Sequence, residues 1–141
     1  MSARRCNPIR FEIRRTLPAG LRFVDKVSME TRGKLLRICS GPDVFSIELL
    51  LREALTNAAL HGCGLDPLKQ VVLLIRVRDN RAVIAVSDEG AGFDWRSGLG
   101  RNARDSDTSG RGLSIYRAYA NRVRFNGNGS AVVLVRSLSP D

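Results

Sequence analysis

Residues 9–15 alternate, with Ile9, Phe11 and Ile13 separated by polar positions. Alternation puts successive side chains on opposite faces of an extended chain, so it predicts a strand with one buried face. Pro18 and Gly20 interrupt it, and the period then changes. Leu21, Val24, Val27, Leu35 and Ile38 recur at helical spacing over 21–38, a pattern that Gly33 weakens. Gly41-Pro42-Asp43 reads as a stop followed by a start, with Asp43 the expected cap of the next helix. Over 44–61, Val44, Ile47, Leu51, Leu55, Ala58 and Ala59 form one broad apolar face, and Gly62 and Gly64 end the helix.

Two apolar runs rich in β-branched residues follow, 71–77 and 82–87. Arg78-Asp79-Asn80-Arg81 between them predicts a hairpin. Residues 88–112 are polar and rich in Gly and Ser, with Trp95 and Leu99 the main apolar exceptions. The pattern then predicts a helix over 113–121 and two strands, Val123–Phe125 and Ala131–Val135, around the turn Asn126-Gly127-Asn128-Gly129. Mostly short hairpins between strands predict an α+β two-layer sandwich. Its sheet is expected to be mixed and mostly antiparallel, with the helices on one face.

A chain of 141 residues suggests a single domain over 1–141. Its 43% apolar and 26% charged composition excludes a disordered chain, a collagen-like repeat and a coiled-coil rod. No apolar run approaches the ~20 residues of a membrane span, and nothing apolar follows Arg4 and Arg5 as in a secretory signal. Cys6, Cys39 and Cys63 are far apart and lack C-x-x-C spacing, so they read as thiols of a cytoplasmic protein. The net charge of +9 is uneven: residues 1–40 carry +7 of it and residues 41–141 only +2. A basic N-terminal third points to an acidic partner surface or to a solvated arginine-rich face. With 6% aromatic residues and no reading motif, direct binding of nucleic acid is not expected.

Three local patterns carry chemistry. Glu53, Asn57 and His61 stand at i, i+4 and i+8 on an otherwise apolar helix, one polar stripe. Such a Glu can take a proton from an attacking hydroxyl, and such an Asn can give its oxygen to Mg²⁺. Asp88-Glu89-Gly90-Ala91-Gly92 ends a strand. An Asp there can accept a hydrogen bond from an exocyclic amine, and the glycines permit close backbone approach to a ring or phosphate. Ser109-Gly110-Arg111-Gly112-Leu113 opens a helix, where backbone N–H groups and an Arg fork suit phosphate. Each pattern alone is also what an exposed helix face or an ordinary turn looks like.

Their order and the elements carrying them resemble the GHKL ATPase superfamily, which includes gyrase-type ATPases, histidine-kinase catalytic domains and mismatch-repair ATPases. Glu53-x-x-x-Asn57 is similar to the N box of that superfamily. Asp88-x-Gly90-x-Gly92 is similar to its first glycine box, and Gly110-x-Gly112-Leu113 to its second. Residues 94–109 then correspond to the ATP lid. The resemblance covers nearly the whole chain and implies a Bergerat-type ATP-binding fold with ATP and Mg²⁺ as cofactors. By position it implies Asp88 for the adenine amino group, Asn57 for Mg²⁺ and Glu53 as general base. It places Gly90 and Gly92 beside adenine, and Gly110, Arg111, Gly112 and Leu113 at the phosphates with Thr108 and Ser109 in reach.

Residues 52–62, REALTNAALHG, and the short length resemble bacterial anti-sigma-factor serine/threonine kinases. That likeness implies a cytoplasmic protein kinase that phosphorylates an anti-anti-sigma (STAS-type) partner and sequesters a sigma factor. A homodimer is compatible with it; a membrane is not expected. The alternative is a non-catalytic ATP-sensing interaction module. A sensor histidine kinase fits poorly, because the only histidine, His61, stands beside the N box.

Overall fold

The alternating segment forms strand β1, Ile9–Pro18, with Ile13 and Leu17 buried on one side. Helix α1 follows over Leu21–Leu35 and helix α2 over Gly41–Thr56. A π-helical segment, Asn57–Gly62, continues α2. Strands β2 (Gln70–Arg78) and β3 (Arg81–Asp88) form the expected hairpin, with Asp79 at φ 54° in its turn. Helix α3 spans Thr108–Tyr119, and strands β4 (Arg122–Phe125) and β5 (Ala131–Ser137) close the order. The structure, a computed structural model, describes residues 9–89, 108–126 and 130–139, and of residues 108–112 only the backbone.

The five strands lie in the order β1-β2-β3-β5-β4, and every described pair is antiparallel. The mixed character expected from the sequence is therefore not seen among the described strands. β5 returns from the β4 hairpin to fill the place beside β3, which keeps neighbouring strands opposed. One set of strand side chains, among them Leu73, Ile75, Ile84 and Leu134, is fully buried. It joins Leu35, Ile47, Leu50, Leu51 and Leu55 of the helices in one apolar core. That is the two-layer α+β arrangement, with the helices on one face.

Two boundaries differ from the sequence expectation. The cap of α2 is Ser40, which has extended backbone angles and accepts a hydrogen bond from the Asp43 N–H at 3.3 Å. Asp43 lies inside the first turn, where its buried carboxylate accepts from the Ser139 N–H (2.9 Å) and meets Arg136 at 3.5 Å. It fastens the C-terminal end of the chain to α2. Helix α3 begins five residues before Leu113, so Gly110 and Gly112 stand within its first turns. Glycine's low helix propensity hid that start from a reading by pattern.

Candidate functional site

Glu53 on α2 and Asn57, the first residue of the π segment that continues it, stand one turn apart, with the apolar positions of α2, including Leu50, Leu51, Ala54 and Leu55, held in the core. Both polar side chains are half-buried. After Thr56 the hydrogen bonds lengthen in sequence. The Cys63 N–H reaches the Ala58 carbonyl (2.9 Å) and the Leu65 N–H the Ala59 carbonyl (2.8 Å). Such π-helical turns are uncommon and occur often at functional sites. Here the wider turn breaks the i, i+4, i+8 register, so spacing no longer puts the exposed His61 in the stripe of Glu53 and Asn57.

The π segment packs on β2 and β3, beside the end of β3 that carries Asp88. Asp88 is fixed by pairing with Val71 and by its N–H on the Ser130 carbonyl at 2.9 Å. Its carboxylate lies against Gly62. A Cβ added to Gly62 would come within 2.5 Å of the Asp88 Cγ and 2.6 Å of Oδ1, far inside van der Waals contact. Gly62 therefore does more than end a helix: its missing side chain is the space the carboxylate occupies. Gly62→Ala is expected to displace that carboxylate at a cost of about 1–3 kcal/mol, the usual range for overpacking. Urea denaturation would read that loss. ATP titration would read a parallel drop in affinity, and an unchanged affinity would refute the link to Asp88.

Helix α3 contributes Tyr116, which is 1% exposed. The Asn57 Nδ2 donates to its hydroxyl at 3.1 Å, and its ring tilts on Phe125 with centroids 6.3 Å apart. Burial pushes the Tyr116 hydroxyl up from its ordinary pKa; the Asn57 hydrogen bond opposes this and the nearby Glu53 charge adds to it. The phenol stays protonated at neutral pH and holds one end of the Asn57 amide. The amide's Oδ1 is the end that suits a hard cation. Tyr116→Phe is expected to lower stability by about 0.5–1.5 kcal/mol, the net worth of one hydrogen bond. A midpoint shift in urea with unchanged slope would record it.

These elements meet at a narrow cleft lined by Asn57, Ala58, Val86, Asp88, Tyr116 and Val132, among others. Over residues 18–136 the chain matches the histidine kinase-like ATPase domain. The chain belongs to this family. An anti-sigma F factor from Shouchella clausii (strain KSM-K16) is similar to it, 27% identical over 86 residues. The aligned part is 58% of this chain and 59% of that protein, so the match spans about three-fifths of the curated relative's length.

For a histidine kinase-like ATPase domain the implied ligand is ATP, and the described residues fit it. A carboxylate accommodated by a glycine stands in a lining that also holds the apolar Ala58, Val86 and Val132 beside Asn57 and Ser130, a combination that suits a flat ring bearing an amine. For Mg²⁺ the described residues offer little of their own. Among them no group of three or more His, Cys, Asp or Glu could hold a metal. Mg²⁺ in nucleotide sites needs only one or two protein oxygens besides phosphate and water, and the Asn57 amide fits that modest demand.

The structure brings Asn57 and Asp88 to one cleft, although 31 positions separate them in the sequence. Glu53 stands beside it, close enough for its charge to act on Tyr116, but is not among the residues lining the cleft. The Leu113 side chain is 3% exposed and belongs to the apolar core, so only its backbone is open to a phosphate role. Thr108, Ser109, Gly110, Arg111 and Gly112 occupy the first turns of α3, but their side chains lie outside the described part. Gly90, Gly92 and the expected lid up to Asp107 also lie outside the described residues. Gly62, Tyr116 and Phe125 were not singled out from sequence for this site. Gly62 reads there as a helix stop and Tyr116 as one more apolar helix position, and nothing local marks either.

No helix among the described residues is long and apolar enough to cross a membrane. The thiol of Cys63 is buried, and that burial pushes its pKa up. It fits the expectation of a small core residue.

Proposed function

We propose that this chain is an ATP-dependent serine/threonine protein kinase that acts as an anti-sigma factor, phosphorylating an anti-anti-sigma (STAS-type) partner and sequestering a sigma factor in the cytoplasm. The observation that carries the reading is the meeting of Asn57 and Asp88 in one cleft, with Glu53 one helical turn from Asn57. Membership of the ATPase domain family and the likeness to an anti-sigma F factor support it. Bound ATP supplies the transferable phosphoryl group, and Mg²⁺ neutralises charge that develops on it.

The chain's own residues have simple tasks in this reading. Asp88 accepts a hydrogen bond from the exocyclic amine of adenine, with Gly90 and Gly92 beside the ring. Asn57, held by Tyr116, offers its oxygen to Mg²⁺. Backbone N–H groups at the start of α3, with Arg111, Thr108 and Ser109, bind phosphate. Glu53 takes the proton of the partner's Ser or Thr hydroxyl as its oxygen attacks. Incubation with γ-labelled ATP and purified STAS-type proteins of the same genome tests the reading. Label on a Ser or Thr of one partner is the expected result.

The position of Glu53 outside the lining of the cleft favours a second reading, a non-catalytic ATP-sensing interaction module. ATP binding without transfer to any of these partners would select it. Absence of ATP binding would overturn both.

A further inference from the structure

A phosphoacceptor has to bring its hydroxyl to Glu53, which belongs to the helix layer. The outward arginines of the strands, among them Arg14, Arg76 and Arg124, lie across the sheet from that layer. The outer surface of α1 and α2 lies on the side of Glu53, and its pattern departs from that of an ordinary covering helix. Such a helix needs apolar residues on its inner face and carries polar ones outside. Here Phe45 is 59% exposed, Leu36 53% and Met29 62%, with Leu49 half-buried. Single exposed apolar side chains are common on any surface. These are gathered. Leu36, Val44, Phe45 and Leu49 line one open groove of about 380 Å³ between α1 and α2, and Met29 stands two turns before Leu36 on α1.

The charged groups around the groove are satisfied within the chain. Arg52 is held between Asp25 (2.8 Å) and Glu48 (3.1 Å), and Arg32 meets Glu48 at 3.7 Å. Two cations thus balance two carboxylates. The groove offers little to a charged ligand and much to an apolar one, the anatomy of an apolar interface core inside a polar rim. Gly33 is an independent sign. It stands in α1 beside Arg32 and one turn from Leu36, although glycine is a poor helix former. A Cβ added there would meet no atom within 4 Å. Packing inside the chain does not require this glycine, and its bare backbone lets a neighbour approach closely. The groove also leads to the base. Phe45, Leu49 and Glu53 stand at i, i+4 and i+8 on α2, which sets Phe45 about 12 Å along the helix from Glu53.

We propose that the groove between α1 and α2 is the docking site of the phosphoacceptor protein, and that it takes an apolar segment of that partner lying next to the acceptor Ser or Thr. This rests on the kinase reading above and names the surface that holds its STAS-type substrate. Continuity along α2 selects the occupant, because the substrate is the partner that has to lie beside Glu53.

The test uses the full chain with ATP and Mg²⁺, and purified STAS-type proteins of the same genome. Gly33→Gln fills the open space with a better helix former. It is expected to hold or raise the urea midpoint and yet weaken binding of the STAS-type substrate by about tenfold or more. Leu36→Ala with Phe45→Ala removes two apolar anchors. It is expected to raise KM for that protein by about tenfold or more, with kcat at saturation and the Kd for ATP unchanged. Wild-type binding and KM in both variants would overturn the groove and leave the kinase reading standing. Variants that lose a purified sigma factor or self-association, and keep the STAS-type protein, would overturn it too. A STAS-type protein that binds without transfer and is released by both variants would uphold the groove and overturn the kinase step. No STAS-type protein bound by the wild type would overturn the groove and the partner half of the functional reading together, while ATP titration reports on the cleft separately.

Discussion

Asp88→Asn is expected to lower ATP affinity by about 10- to 100-fold without unfolding the chain. Hydrogen bonds to a charged group are worth about 1.5–3 kcal/mol, which sets that range. The substitution is nearly isosteric, so the amide can occupy the space beside Gly62, and the backbone bond from the Asp88 N–H to the Ser130 carbonyl is untouched. What changes is the chemistry offered to the base. A carboxylate only accepts, whereas a carboxamide can turn a donor toward the adenine amine. Isothermal titration with ATP gives the affinity, and thermal melting without nucleotide confirms the fold. Unchanged affinity would remove Asp88 from the adenine role. Gly62→Ala displaces the same carboxylate by another route, so the two variants should fail together in binding and differ in stability.

Glu53→Gln is expected to reduce transfer to the protein partner by about 10²–10⁴, the usual worth of a general base. The amide keeps the shape of the side chain and loses the proton acceptor. ATP affinity should change little, because Asp88 and Asn57 remain in place on β3 and at the start of the π segment. Sequestration of a sigma factor, which needs the bound form and not the transfer step, should survive. Single-turnover phosphorylation with labelled ATP separates the two activities. Wild-type rates in the variant would refute the assignment, a result to weigh seriously because Glu53 stands beside the cleft and not in its lining.

The order of elements was legible from periodicity alone. Alternation marked β1, apolar runs rich in β-branched residues marked β2 and β3, helical spacing marked α1 and α2, and the spacing of Glu53 and Asn57 put both on one helix face. These are local properties, set by how side chains project from an element's own axis. Helix ends were less legible. Side-chain capping by Ser40 and the two glycines early in α3 moved the boundaries by several residues. The π turn after Thr56, whose residues pack on β2 and β3, left no trace in the pattern.

By itself, then, the sequence determined which residues share an element and which chemistry each element can offer. Tertiary structure decided what lies across from what. Register and packing brought Gly62 against Asp88 and Tyr116 against Asn57. The same register gathered arginines of four strands onto one sheet face, although the sequence concentrates charge near its start. Periodicity fixes a side chain's direction relative to its own backbone. Its neighbour across the sheet or the core depends on pairing and layer packing, which no short stretch of sequence contains.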